Sequence, residues 1–385
     1  MNRISRLHRA SRERGAVAVI VTVLVAGGVL LGMGAMAIDA GQMYVERAQL
    51  QNGADSGALA VALSCAKGSC NSGAAQAEAN GNSNDGTSND GVCGTGPGLG
   101  ACAPRNPTAR DCATTPSGNY AQVTTSTRNA NGTTLLPPVL GRAVLGGSYN
   151  GKTVHACAQA GWGPVGSATS LAATFSLCTW KTATANGTTF APAPPYSSWP
   201  PSGVQPYPKN NFDPTVPGLP GGEQVLQIHG SGNDCAGSLG SGWQLPGGFG
   251  WLNDPNGNCT AAVDVNNTYQ DNTGVSISAA CKTALQNAIA SPPASPPSVI
   301  YLPIYDGLQG SGSSGIYHLA GFAAFVVTGA YVNGSGGLKV PSDISGKAYC
   351  SGNDRCIYGF FTKGLVPSGT PGGTNFGVSV VSLIG

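Results

Sequence analysis

The stretch GGSYNGKT, Gly146 to Thr153, fits the pattern G-x-x-x-x-G-K-[ST] of a phosphate-binding loop. Such a loop wraps backbone N–H groups around phosphates, with Lys152 on the β- and γ-phosphates and Thr153 on magnesium. The chemistry needs a long helix after the loop, because the helix N-terminus holds the phosphate. Here only VHACAQA follows before GWGP, Gly161 to Pro164, and no partner strand ending in Asp is evident. The stretch therefore reads as a hairpin turn. DPNGNC, Asp254 to Cys259, begins like a calcium loop. Cys259 stands where Gly is needed, however, and Val265 where the bidentate Glu belongs. Asp85 and Asp90 in SNDGTSND read as acidic turn residues. His155, His229 and His318 stand singly in strand-like segments, with neither H-E-x-x-H nor a Cys/His spacing that suits zinc. No G-x-S-x-G marks a nucleophile elbow. The expectation is a protein with no catalytic residue, no cofactor and no metal site.

The cysteines carry the remaining chemistry. There are 12, an even number, with no C-x-x-C pair. Cys350 and Cys356 in CSGNDRC close a short Gly-containing loop and are the leading candidates for a local bridge; Cys65 and Cys70 in CAKGSC are similar. Most of the 12 are expected to be paired in an oxidising compartment. Only 9% of the 385 residues are charged, against a typical ~25%, and there are 59 Gly and 27 Pro. A surface covered by Ser, Thr, Asn, Gly and Gln suits an extracytoplasmic protein.

The elements that must carry these residues begin with a membrane span. Residues 1–14 hold five Arg against Glu13 alone, a run too short to argue for nucleic acid. GAVAVIVTVLVAGGVLLGMGAMAI, Gly15 to Ile38, is uncharged and, at ~1.5 Å per residue, exceeds a ~30 Å hydrocarbon core. Arginine at one end only places that end in the cytoplasm. The competing reading is a signal peptide cleaved at the A-x-A of Ala35–Ala37, although the apolar run is long for one. The expected fold is an N-terminal transmembrane α-helix continued by a juxtamembrane helix, then a mainly β, disulfide-rich extracytoplasmic region with few helices. In order, 1–14 is a cytoplasmic basic arm, 15–38 the transmembrane helix and 39–65 the juxtamembrane helix. A Gly/Asn/Cys-rich loop region with little regular structure follows at 66–118, and a β-rich part at 119–190. A Pro-rich linker or strap covers 191–222, where ten of 32 residues are Pro. Residues 223–385 form a second β-rich part, with one helix over SAACKTALQNAIA.

RERGAVAVIVTVLV followed by AIDAGQMYVERAQLQNGADSGALAVAL resembles the TadE/TadG-like family of Flp (Tad) pilus-assembly proteins. The order of Arg-Gly, an Ala/Val-rich span, Asp39 at its outer end and then ERAQLQN carries the likeness. GGFGWL at Gly247–Leu252 and YHLAGFAAFVVTG at Tyr317–Gly329 look similar to the C-terminal part of actinobacterial TadG-like proteins. Ile20, the fifth residue after Gly15, stands where the family's class III prepilin-like members carry Glu, which favours a retained anchor. The D-x-S-x-S metal site of TadG proteins with a von Willebrand factor A domain has no counterpart.

The resemblance implies a membrane-anchored structural or assembly component of a Flp/Tad-type pilus or secretion apparatus. Other pilus-assembly or membrane proteins and the lipid bilayer are its implied partners, and neither nucleic acid nor nucleotide is expected. Small residues allow close helix approach in lipid. Gly28 and Gly32, and again Gly53 and Gly57, have the G-x-x-x-G spacing and form the expected helix-packing seam. The bland alternative for the outer pair is packing on the chain's own ectodomain. The alternative function is an anchored or secreted surface binding module for cell wall or carbohydrate, with Trp162, Trp180, Trp199, Trp243 and Trp251 as stacking platforms.

Overall fold

The computed structural model describes residues 4–103, 112, 116–142, 148–230, 235–236, 239–265, 267–271, 277–289, 298–310, 315–332 and 337–384. The side chains of the basic arm, and the SPPASPP stretch that follows the late helix, lie outside the described residues. The chain divides into two compact units, 1–161 with 383–385, and 162–382.

The first unit begins with α1, Ile4–Ala66, an unbroken helix of 63 residues. Its outer half buries one stripe, Leu50, Ala54, Ala58, Val61, Ala62 and Cys65, at spacings of three and four. Against it lie α2 (Gly73–Gly81) and the antiparallel pair β1 (Ser88–Gly94) and β2 (Asn119–Thr127), paired from Ser88↔Thr127 to Gly94↔Ala121. Both α2 and β1 fall in the stretch 66–118, which the sequence suggested was loop. α2 packs on α1 through buried Ala75 and Ala79, and β1 pairs with β2. In α2 the run AAQAEA is made of strong helix formers, whereas in β1, SNDGVCG, pairing with β2 overrides a turn-like composition. The Thr125 hydroxyl of β2 donates to the Leu50 carbonyl of α1 at 2.8 Å.

β3, His155–Leu171, starts in the first unit and runs on into the second. The expected stop at Gly161–Pro164 does not occur, since Pro164 sits within the strand and its carbonyl accepts from Gly372 N–H at 2.9 Å. The remaining strands belong to the second unit, except that the last residue of β16 falls in the first: β4 (Ala173–Ser176), β5 (Gln224–Gln227), β6 (Phe249–Trp251), β7 (Thr260–Asp264), β8 (Thr268–Gln270), β9 (Val299–Gln309), β10 (Ile316–Val332), β11 (Leu338–Val340), β12 (Arg355–Thr362), β13 (Gly364–Val366), β14 (Thr370–Pro371), β15 (Thr374–Asn375) and β16 (Val378–Leu383). Nine of them form one sheet in the order β5-β12-β10-β9-β4-β6, with β8, β11 and β15 also on β10.

β10 is its spine. IYHLAGFAAFVVTGAYV is almost continuously apolar because it is covered on both faces. Its register with β12 shifts between Val327 and Gly329. A Cβ at Gly329 would lie 2.8 Å from the Pro341 carbonyl and from the Tyr358 ring, so only Gly fits that bulge. The core centres on Phe175, Phe325 and Phe361, with edge-to-face contacts at 4.8, 4.9 and 5.7 Å. Two short helices flank the sheet. Ser176 caps α3 (Leu177–Ala183) and Ser278 caps α4 (Ala279–Ala288), each accepting a backbone N–H.

The Pro-rich stretch 191–222 is a strap rather than a linker. Ala191 N–H donates to Phe361 O, and the Thr362 hydroxyl to Ala191 O. Tyr196 and Trp199 pack on Phe360 of β12, and Tyr207 packs on Tyr349 at 5.3 Å.

Candidate helix-packing and membrane-anchor site

The apolar part of α1 is long and apolar enough to cross a bilayer, with a mean hydropathy of 2.6 in its most apolar 18 residues. Its large side chains are uncovered; Leu30 is 71% exposed and Leu31 77%. Gly28 and Gly32 have nothing within 4 Å of where a Cβ would stand, so this half of the seam is open.

The outer half is occupied. A Cβ on Gly53 would come within 3.0 Å of the Ala79 Cα, and one on Gly57 within 3.3 Å of the Ala75 Cα. The two glycines thus receive Ala75 and Ala79, which repeat the four-residue spacing on α2. A seam built for close backbone approach is filled from within the chain, as the bland alternative has it. Only Gly28 and Gly32 remain available to another helix.

Between the two halves Asp39 makes a contact that its position in sequence does not reveal. Its Oδ1 accepts backbone N–H bonds from Val139 at 2.9 Å and Leu140 at 3.0 Å. One carboxylate at the end of the apolar run thereby fixes a loop 100 residues away. The sequence signal was an acidic residue at the mouth of a span; its loop partner had none.

All 12 cysteines are at bonding distance in six pairs: Cys65–Cys70, Cys93–Cys102, Cys112–Cys157, Cys178–Cys235, Cys259–Cys281 and Cys350–Cys356. Every one lies C-terminal to the apolar run.

The residues that resembled chemical motifs serve local structure. After Thr153 the chain enters β3, a strand rather than a helix, and Lys152 bridges to Leu136; Gly146 and Gly147 lie outside the described residues. Asp254 accepts the backbone N–H groups of Asn258 and Cys259, tightening the turn before β7. Asp85 accepts from the Ser83 hydroxyl at 2.7 Å and from Thr87 N–H at 3.1 Å. His318 Nδ1 pairs with Asp306 at 2.6 Å across β10 and β9.

His229 Nε2 meets the Tyr317 hydroxyl, which donates to Asp271 at 3.3 Å. Burial, then the Asp271 charge, pushes the Tyr317 hydroxyl well above its usual range. Burial raises the Asp271 carboxyl, and His229 offsets part of this. His229 also lines a cleft of about 410 Å³ with Thr179 and Asp213. Of the five Trp, Trp180 and Trp251 lie in the core, where no sugar can stack on them.

Among the described residues no group of three or more His, Cys, Asp or Glu is placed to hold a metal ion. No curated protein and no solved structure matches the chain. One family does, described as "Putative Flp pilus-assembly TadE/G-like", over residues 15–64. The matched stretch opens the apolar run and ends with the buried stripe of α1. Over residues 15–64 the chain is similar to the TadE/G-like proteins of Flp pilus assembly.

Proposed function

We propose that the chain is a single-pass membrane component of a Flp/Tad-type pilus or secretion apparatus, acting by protein contacts rather than by catalysis. The observation that carries this is the coincidence of the family match, 15–64, with one helix whose first half is uncovered and whose second half seats a folded unit. The bulk stands outside the cell, because all six cysteine pairs lie beyond the span and such pairs persist in oxidising compartments. Retention of the span is favoured over cleavage after Ala37, since that cut would remove the anchor two residues before the Asp39 clamp. The open Gly28–Gly32 face is where a second membrane helix would approach.

The test is photo-crosslinking from positions 28 and 32 in membranes of the native host, with deletion of the gene alongside. The expected result is an adduct with another spanning protein of the pilus apparatus, and loss of Flp pili on deletion. A membrane-bound chain with no adduct, and pili unchanged by deletion, would overturn the reading.

A further inference from the structure

The loop that Asp39 holds is uncharged and carries exposed aliphatic side chains. Residues 129–141, NANGTTLLPPVLG, contain no charged group, while Arg128 and Arg142 stand at either end. Leu135 is 41% exposed, Val139 58% and Leu140 39%. Among the described residues, Leu383 and Ile384 are the other exposed large aliphatics of the first unit outside α1. The loop is not loosely placed. Leu136 N–H donates to Lys152 O at 2.9 Å, and the Asn129 amide donates to Leu135 O at 2.8 Å. Asp39 takes Val139 and Leu140, directly after the last residue of the apolar run. Val139 and Leu140 are therefore fastened beside the end of the apolar run, with Leu135 exposed on the same loop.

Beside them a groove of about 390 Å³ runs between α1 and the chain entering β3, lined by Arg47, Lys152, His155 and Tyr44. No carboxylate is among its lining residues. Neither Arg47 nor Lys152 forms an ion pair with a described residue. Arg47 lies nine residues past Ile38, ~14 Å along the helix, and its stem can extend toward the interface. An apolar tip next to a groove that carries Arg47 and Lys152 matches the layered chemistry of a bilayer surface, with acyl chains below and anionic headgroups above.

We propose that the first unit rests on the bilayer as well as being tethered to it. Leu135, Val139 and Leu140 enter the acyl boundary, and the Arg47–Lys152 groove takes the phosphate of an anionic phospholipid headgroup. The inference depends on α1 spanning the membrane, and the experiment separates the two claims.

The full chain is reconstituted into phosphatidylcholine vesicles with acyl-brominated lipid, with and without phosphatidylglycerol. Two variants report depth, Leu30→Trp within the span and Val139→Trp at the loop, each as added quenching over wild type. Both should be quenched. Quenching of Leu30→Trp alone would overturn this proposal and leave the span intact; quenching of neither would overturn the span. For the groove, phosphatidylglycerol enrichment around the protein is measured for wild type and for Arg47→Gln with Lys152→Gln. Each lost charge should lower enrichment by about five-fold. Unchanged enrichment would overturn the headgroup assignment. Inorganic phosphate serves as the competing source. If millimolar phosphate in detergent protects the groove as well as the lipid does, the site is a phosphate site and the lipid claim falls.

Discussion

Glu223 is fully buried, yet every contact around it is a donor. The Thr328 and Ser342 hydroxyls reach Oε1 at 2.5 Å, and the Tyr349 hydroxyl and Tyr207 N–H reach Oε2 at 2.8 and 3.3 Å. Four donors from the strap and the β10–β12 region converge on one carboxylate, so both of its oxygens have hydrogen-bond partners. The neighbouring Asp343 is less fortunate. Its oxygens are buried without a hydrogen-bond partner among the described residues. Burial, and then the Glu223 charge, pushes its carboxyl up to about 7. The Trp199 indole approaches and offsets a little, without reaching hydrogen-bond geometry.

A raised carboxyl pKa means the folded state holds a proton that the unfolded chain releases near pH 4. Stability should therefore fall as pH rises from about 4 to 7, and stay lower above that. Asp343→Asn should stabilise the protein at pH 8 by about 1 kcal/mol, allowing for partial solvent screening, and do little at pH 4. Unfolding midpoints of both proteins at the two pH values check this; an equal effect at both would show that Asp343 is not the titrating group. None of this was legible in the sequence, because Glu223 and Asp343 are 120 positions apart and neither belongs to a motif. The local cysteine pairs were legible, because CSGNDRC and CAKGSC bring their ends together by themselves. Cys112–Cys157 and Cys178–Cys235 are set by strand placement, which spacing does not encode.

At the scale of elements, periodicity and composition told most where one element decides its own fate. The uncharged run from Gly15 announced a long apolar helix, and the mainly β expectation for the downstream chain is met in β2 to β16. α2 was missed although AAQAEA is made of strong helix formers, because its Gly- and Asn-rich flanks read as loop and the nine-residue helix is too short to stand without what it touches. That dependence turns the outer glycines from an interface into a socket. Leu at Gly53 and Gly57 is the better helix former, but must displace backbone at 3.0 and 3.3 Å. Overpacking of this kind costs about 1–3 kcal/mol per site. The double variant Gly53→Leu with Gly57→Leu should therefore speed hydrogen exchange across residues 73–94 and loosen α2. Gly28→Leu with Gly32→Leu, in open space, should leave that exchange unchanged. Equal protection in all three proteins would mean that α2 does not rest on the glycine pair.

Over the whole molecule, low charge and high glycine content leave a chain with many turns and long connections, and the six cysteine pairs answer that directly. Three of them lie in each unit. If they act by limiting the unfolded chain, their worth should grow with the loop they close. The first unit holds a clean comparison, Cys65–Cys70 with a separation of 5 and Cys112–Cys157 with a separation of 45. Chain entropy assigns these about 2 and about 4 kcal/mol. Cys65 and Cys112 are similarly buried, at 5% and 8%, so replacing each pair by Ala should leave comparable packing defects. The Cys112→Ala, Cys157→Ala variant is then expected to unfold at distinctly lower denaturant than the Cys65→Ala, Cys70→Ala variant, with a similar slope. The short bridge spans the end of α1, where the stripe already holds the helix against its neighbours, so its loss should fray only the last turn. Equal destabilisation, or a greater loss from the short pair, would show that these bridges work by fixing native geometry rather than by shortening the unfolded chain.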